Sequence, residues 1–451
     1  MPVSSRGYFA FAKESTLATE AARNGAVETN YPKYWAYPVE EVEFTPEKQF
    51  IDFQEIRGSR QAYTTLDGAF QPTAMIKGAV YPGAALAQFL YGAFGETKVL
   101  ETTSGQVGTG ATYLYNFDTD SGTAGDQPYA DDDDPRIATE TAFFDGSTLP
   151  SFTLERSDGR DGSATIVEQL RGCKVESVQF TANFGEKVDM TVNFQATKKP
   201  SDLGPTYARY AFDGTNLNSG SGATQANRIF YPGQGEIYNS GYQQYDITPL
   251  YFNRAALKID NSDTGSAITM KTLSWEMTNT LERQETLRAS VVGDGFNITP
   301  VEDAYTMFEG GVECTLSGTA VFESLDLYQK MMEGTNIYLE LWLGSNTPAD
   351  LGSETGTLGD AYHGLYFYWP RLKVSRASIP FTAGEVIESD VEFKVIYAPS
   401  AKFGSFKQRT YANGQLYGNA SAGITGGSMF SKMISRMPGK TVDSVSRPIF
   451  Y

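Results

Sequence analysis

"LSGTAVFESLDLYQKMMEG", residues 316–334, passes from strand-like alternation through a glycine into a short amphipathic helix. Leu325, Tyr328, Met331 and Met332 share one helical face. Glu323 and Asp326 sit at the positive N-terminal end, Lys330 lies towards the other end, and Gly334 supplies a stop. "IKGAVYPGAALAQFLYG", residues 76–92, follows the same plan in other letters. Pro82 suits a first helical turn, Leu86, Phe89 and Leu90 make the apolar face, and Gly92 is placed to end the helix. Gly78 and Gly318 stand 240 positions apart. A Met or aromatic stripe at this spacing is core material rather than a cofactor box.

A second echo follows in the same order. "SVQFTANFGEKVDMTVNFQA" (177–196) reads as two alternating strands around a tight turn. Val178, Phe180, Ala182 and Phe184 lie on one face, and Met190, Val192, Phe194 and Ala196 on the return strand. "ASIPFTAGEVIESDVEFKVIYA" (377–398) repeats the plan, with Val391, Phe393, Val395 and Tyr397 on one side and the triplet F-T-A in both hairpins. Strand–helix followed by hairpin, twice in one order, is the signature of an internal duplication.

A chain of 451 residues exceeds one ordinary core and fits two or three domains. With 28 Phe, 27 Tyr, 45 Gly and 20 Pro, it favours strands joined by many turns, a mostly β class. The pattern divides the chain into an arm (1–37), a first domain (38–200) with an acidic insertion at about 101–148, a linker or surface loop (201–250), a second domain (251–400) and a basic C-terminal arm (401–451).

The net charge of −18 disfavours tight nucleic-acid binding, which needs basic surface to neutralise phosphates; it leaves room for a surface past which DNA slides. Adaptation to high salt is a competing source of the acidity. Residues 401–451 hold seven basic residues (Lys402, Lys407, Arg409, Lys432, Arg436, Lys440, Arg447) against the single Asp443, a charge of +6. The first 400 residues therefore carry −24. A basic arm on an acidic body suits docking onto a neighbouring copy; a solvated tail is the alternative.

Catalytic signatures are missing. The one histidine, His363, has no G-x-S-x-G elbow to join it, and two cysteines with one histidine do not make a zinc set. "DTDSGTAGD" (118–126) matches only the start of a calcium loop, and "GITGGS" lacks the lysine of a phosphate loop. We therefore expect no enzyme, no cofactor and no metal. Cys173 and Cys314 read as two buried thiols. The N-terminus lacks the apolar core of a secretion signal and the longest apolar stretch is too short for a bilayer, so the expectation is a soluble chain made in a cytoplasm.

"LPSFTLERSDG" leading to "EQLRGCKVESVQFTANFGEKVDMTVNFQA" resembles the first half of major tail tube proteins of long, non-contractile-tailed (siphovirus-like) viruses. "CTLSGTAVFESLDLYQKMMEGTNIYLELWLG" with "YFYWPRLKVSRASIPFTAGEVIESDVEFKVIYA" resembles their second half. The resemblance covers roughly 38–200 and 251–400; the acidic insertion and basic tail are not part of the family pattern. It implies β-sandwich or half-barrel domains, each flanked by a short helix, whose sheets join between subunits into rings that stack into a tube. With two such domains per chain, three chains would make a pseudo-sixfold ring. It also implies a virion location, passage of genome DNA without specific binding, no membrane, and contacts with a tape measure protein, a tail terminator and a distal tail protein. Alternatives are a hub or distal adaptor of the same fold, or a carbohydrate-binding or carbohydrate-active β protein. By position, 55–70 and 279–297 lie between paired strands, and they are the expected inter-ring loops, with Arg57, Arg60, Glu282, Arg283, Glu285 and Arg288 as contacts.

Overall fold

The computed structural model describes residues 8–18, 34–52, 65–82, 84–101, 112–118, 140–142, 149–157, 167–202, 229–230, 248–252, 255–259, 270–285, 304–321, 326–348, 362–379, 387–396, 407–412, 415–419 and 430–436. The chain opens with β1 (Tyr8–Lys13), β2 (Tyr34–Ala36), β3 (Glu41–Thr45), β4 (Lys48–Asp52), β5 (Thr65–Phe70), β6 (Thr73–Ala79) and helix α1 (Ala84–Phe94). β7 (Glu96–Glu101), β8 (Thr112–Asp118) and β9 (Glu140–Ala142) flank the acidic insertion, and β10 (Phe152–Ser157), β11 (Val167–Asn183) and β12 (Val188–Gln195) follow. After the short β13 (Ser201–Asp202) and β14 (Ile229–Phe230) come β15 (Ala255–Ile259), β16 (Met270–Gln284), β17 (Thr306–Val321) and α2 (Asp326–Glu333). β18 (Ile337–Pro348), β19 (Tyr362–Ser378), β20 (Glu388–Val395), β21 (Lys407–Ala412), β22 (Gln415–Asn419) and β23 (Phe430–Arg436) complete it. The fold is mostly β, as composition predicts.

Period-two patterning explains the strands. In β12, Val188, Met190, Val192 and Phe194 are buried while the residues between them are half-exposed. The central sheet runs β3–β6–β12–β11–β16–β17–β20–β19, every neighbour antiparallel. The order strand–strand–strand–strand occurs twice, first as β3–β6–β12–β11 and again as β16–β17–β20–β19.

The registers match as well. Across the first four strands, Phe44 faces Ala74, Ala74 faces Phe194 and Phe194 faces Val175; across the second four, Trp275 faces Leu316, Leu316 faces Phe393 and Phe393 faces Val374. A bulge follows at the same point in each, between Val175 and Ser177 and between Val374 and Arg376. Beyond the central sheet, Phe152 of β10 faces Cys173 and Ile337 of β18 faces Leu372, with β1 and β15 as the respective outer neighbours. Corresponding positions are therefore 199 apart in the long hairpins (Phe194 and Phe393) and 242 apart in β6 and β17 (Ala74 and Leu316). Gly318 corresponds to Ile76, and Gly78 to Ala320, a slip of two from the pairing that the sequence suggests.

The two helices differ in setting. α1 is buried all round, and it runs through Gly92 to stop at Gly95, which holds φ +88° and whose N–H donates to the Tyr91 carbonyl at 2.8 Å. Gly92, expected as the stop, instead lets α1 close on β11: a Cβ there would lie 2.6 Å from Val175 and 2.8 Å from Phe152. α2 ends at Gly334 (φ +64°) as predicted. Its inward side is Leu327 and Met331, whereas Tyr328 and Met332, placed with the core face in the sequence reading, are 40% and 69% exposed. Phe184, at the tip of the first hairpin, is likewise exposed.

The N-terminal segment is also used differently. Residues 1–37 read as an arm seeking a partner surface, yet β1 pairs with β10, and Phe9 and Phe11 are buried, the latter stacked on Phe89 at 4.3 Å. Glu14 pins the end of this strand. Its buried carboxylate accepts from the Ala18 N–H, Ser151 Oγ, Thr153 Oγ1 and the Gly172 N–H, all at 2.8–2.9 Å.

Candidate assembly interface

Among the described residues the central sheet ends in two open margins. β3 is paired only with β6, and β19 from Lys373 onwards is paired only with β20. Such margins present unpaired N–H and C=O groups and are templates for another strand.

The middle of the sheet shows how a matching margin is filled within the chain. There β11 receives β16, with Ser177 facing Thr278, Gln179 facing Glu276 and Phe180 facing Trp275. Phe180 stacks on Trp275 at 4.7 Å, and Trp275 meets Phe367 edge-on at 4.3 Å, so the junction is part of the core. Beyond Ser177, where its pairing with β11 stops, β16 runs on with β17 as an extended hairpin. Asn279 Nδ2 donates to the Val175 and Ala93 carbonyls at 3.1 Å. Lys174 Nζ forms a largely buried ion pair with Glu309 and reaches the Met307 carbonyl at 3.5 Å, while the Leu149 N–H donates to the same carboxylate at 2.8 Å.

One face of the central sheet packs on the core and the other is polar. It carries Glu43, Asp189, Glu276, Glu313, Asp390 and Glu392 among threonines and serines, against Lys77, Lys373, Lys394 and Arg376. Lys394 pairs with Glu313 at 2.7 Å, which holds that exposed carboxyl below the usual range. Besides Phe184, Tyr328 and Met332, the exposed large apolar side chains among the described residues stand at the far ends of the hairpins: Phe50 on β4, Tyr305 before β17, and Phe308 and Val312 on it.

Of the expected inter-ring residues, Glu282, Arg283 and Glu285 lie at the end of β16, where Glu282 faces Phe308 and Arg283 faces Met307. The segment 279–284 is thus strand rather than loop. Arg283 is turned into the chain, donating through Nη2 to the Pro72 carbonyl at 2.8 Å, and burial lowers its pKa. Arg57, Arg60 and Arg288 lie outside the described residues. In the basic tail, Lys407 and Arg409 fall in the β21–β22 hairpin. Lys432 and Arg436 fall in β23, which inserts between β8 and the N-terminal part of β19. Lys402, Lys440 and Arg447 lie outside the described residues. Sequence reasoning overlooked Lys174 and Glu309, because an ion pair between distant strands leaves no local signal. Cys173 and Cys314 are free and buried, the Cys314 thiol pushed up to about 12 by burial.

Comparison with known proteins gives one family. The phage tail tube protein family matches residues 4–395. Among sixteen solved chains that match is the SPP1 tail tube, a hybrid solid-state NMR and cryo-EM structure, at 11% identity, 33% coverage of this chain, 76% of that chain and a TM-score of 0.19. No curated protein matches the sequence.

Proposed function

The chain belongs to the phage tail tube protein family and is a structural subunit of a virion tail; on that premise we propose that three copies close into a pseudo-sixfold ring and that rings stack into the tube. The observation that carries this reading is the repeated four-strand order with an open margin at each end. Three chains of eight central strands each would remove every open margin. We take the two repeats as tandem tube domains, the first reaching back to β1 rather than starting at residue 38, since its counterpart β15 lies inside the second.

The polar, mainly acidic sheet face would line the lumen. Carboxylates there repel phosphate and leave little for DNA to hold, which suits a conduit for genome delivery. The exposed apolar residues at the hairpin ends, with Glu282 and Glu285 near by and Arg57, Arg60 and Arg288 in the adjoining sequence, are the proposed axial contacts between rings. A tape measure protein inside and terminator and distal tail proteins at the ends would complete the tail, assembled in the host cytoplasm without any catalytic step. Negative-stain electron microscopy of the purified chain tests the reading. Threefold rings or hollow rods are expected; a stable monomer at high concentration would sink it.

A further inference from the structure

The internal junction between the two repeats gives a residue-level template for the junction between chains. We infer that the open margin of β19 of one copy receives β3 of the next in the register of β16 on β11, and that Lys373 meets Asp67 of that neighbour as Lys174 meets Glu309. The inference rests on the ring reading above and adds to it the identity and register of the seam.

The correspondence follows from strand pairing alone. Val175 and Val374 occupy one position, both opposite a phenylalanine and both just before the bulge. Lys174 and Lys373 precede them, facing Gln195 and Lys394. On the other side, the hairpin β4–β5 matches the far end of β16–β17 down to its irregularity. Lys48 faces Phe70 and then Phe50 faces Asp67; Asn279 faces Val312 and then Leu281 faces Glu309. Asp67 therefore holds the register position of Glu309. A lysine and an acid thus recur at the two places that form the buried pair inside the chain. Lys373 is exposed in the single chain and, among the described residues, has no ion-pair partner.

Carrying the internal register across the seam brings Arg376 opposite Glu47 of the next copy, the places of Ser177 and Thr278. Both side chains are exposed in the single chain and opposite in charge. Ile379 falls opposite Phe44, the places of Phe180 and Trp275, so apolar groups meet on the core side. The hydrogen bond from Arg283 to Pro72 does not recur, because Asp52 and Cys314 hold those places.

A cysteine pair reads the register directly. Ser378 and Thr45 occupy the places of Gln179 and Glu276, which face each other in the internal junction. Facing residues of antiparallel strands are close enough for a disulfide. Ring preparations of T45C/S378C, oxidised and run on a non-reducing denaturing gel, should show covalent dimers and trimers, with monomers from each single variant. Cys173 and Cys314 are buried and do not compete. For the ion pair, K373D or D67K alone should raise the concentration needed for assembly more than about tenfold, and K373D/D67K should restore it. Rings without cross-links from the double cysteine variant would overturn the register. Failure of the swap to restore assembly would overturn the ion pair. Absence of rings from the unmodified chain would overturn the functional reading and the seam together, and a ladder beyond trimers would overturn the threefold count while supporting the seam.

Discussion

Glu14 shows how one residue converts a stretch without periodicity into core. Burial raises its pKa above 4.5, and four hydrogen bonds pull it back; burial is the larger effect. A raised folded-state pKa makes a contribution to stability that is full below pH 4.5 and is lost as pH rises through the folded value. Glu14→Gln should cost about 1–3 kcal/mol, because an amide cannot accept from both the Ala18 and Gly172 N–H groups. The deficit against the natural chain should be larger near pH 4.5 than at neutral pH. Urea midpoints at the two pH values check the sign; an equal deficit at both would remove the titration from the account. None of this could be read in the sequence, since the partners at 151, 153 and 172 are brought to Glu14 only by the pairing of β1 with β10.

At the level of elements, the hairpin of β11 and β12 is legible because its inner face alternates apolar residues without a break, and the structure buries Val178, Phe180, Met190, Val192 and Phe194 as that alternation requires. The alignment between repeats was legible only to within two residues. Gly78 with Gly318, and the two F-T-A triplets at 180–182 and 381–383, each miss the true correspondence by two; Phe381 to Ala383 lie outside the described residues. A slip of two keeps every side chain on its face, so patterning is blind to it, and only cross-strand partners fix it. Helix α1 fails differently. Its glycine at 92 looks like a stop but serves packing. Gly92→Ala would regain about 1 kcal/mol of helix propensity, yet its methyl would meet Val175 and Phe152, both fully buried. Overpacking of about 1–3 kcal/mol should prevail, leaving a net loss of roughly 1 kcal/mol. A urea midpoint that rises instead would show that β11 can yield to the helix.

For the whole molecule, the basic tail combines two effects that charge counting merges. β23 pairs with β19 through residues 430–434 and with β8 through 430–436, and so ties the insertion of the first repeat to the outer part of the second. Beyond it, Lys440 and Arg447 add positive charge to a body of −24. Removing 401–451 deletes both the strand and the charge, and it uncovers edges on β8 and β19 that other chains could pair with. Removing 437–451 leaves the strand in place. Thermal unfolding of the single chain should therefore fall clearly in the first deletion and stay unchanged in the second. Salt separates the charges, because contacts among exposed charges are screened over about 8 Å at physiological ionic strength. If the terminal residues clamp neighbouring subunits, tubes of the shorter deletion should fall apart at lower salt than tubes of the full chain, by light scattering across a salt series. Equal salt tolerance, together with an undisturbed melting curve, would confine the tail's contribution to the strand it adds within its own chain.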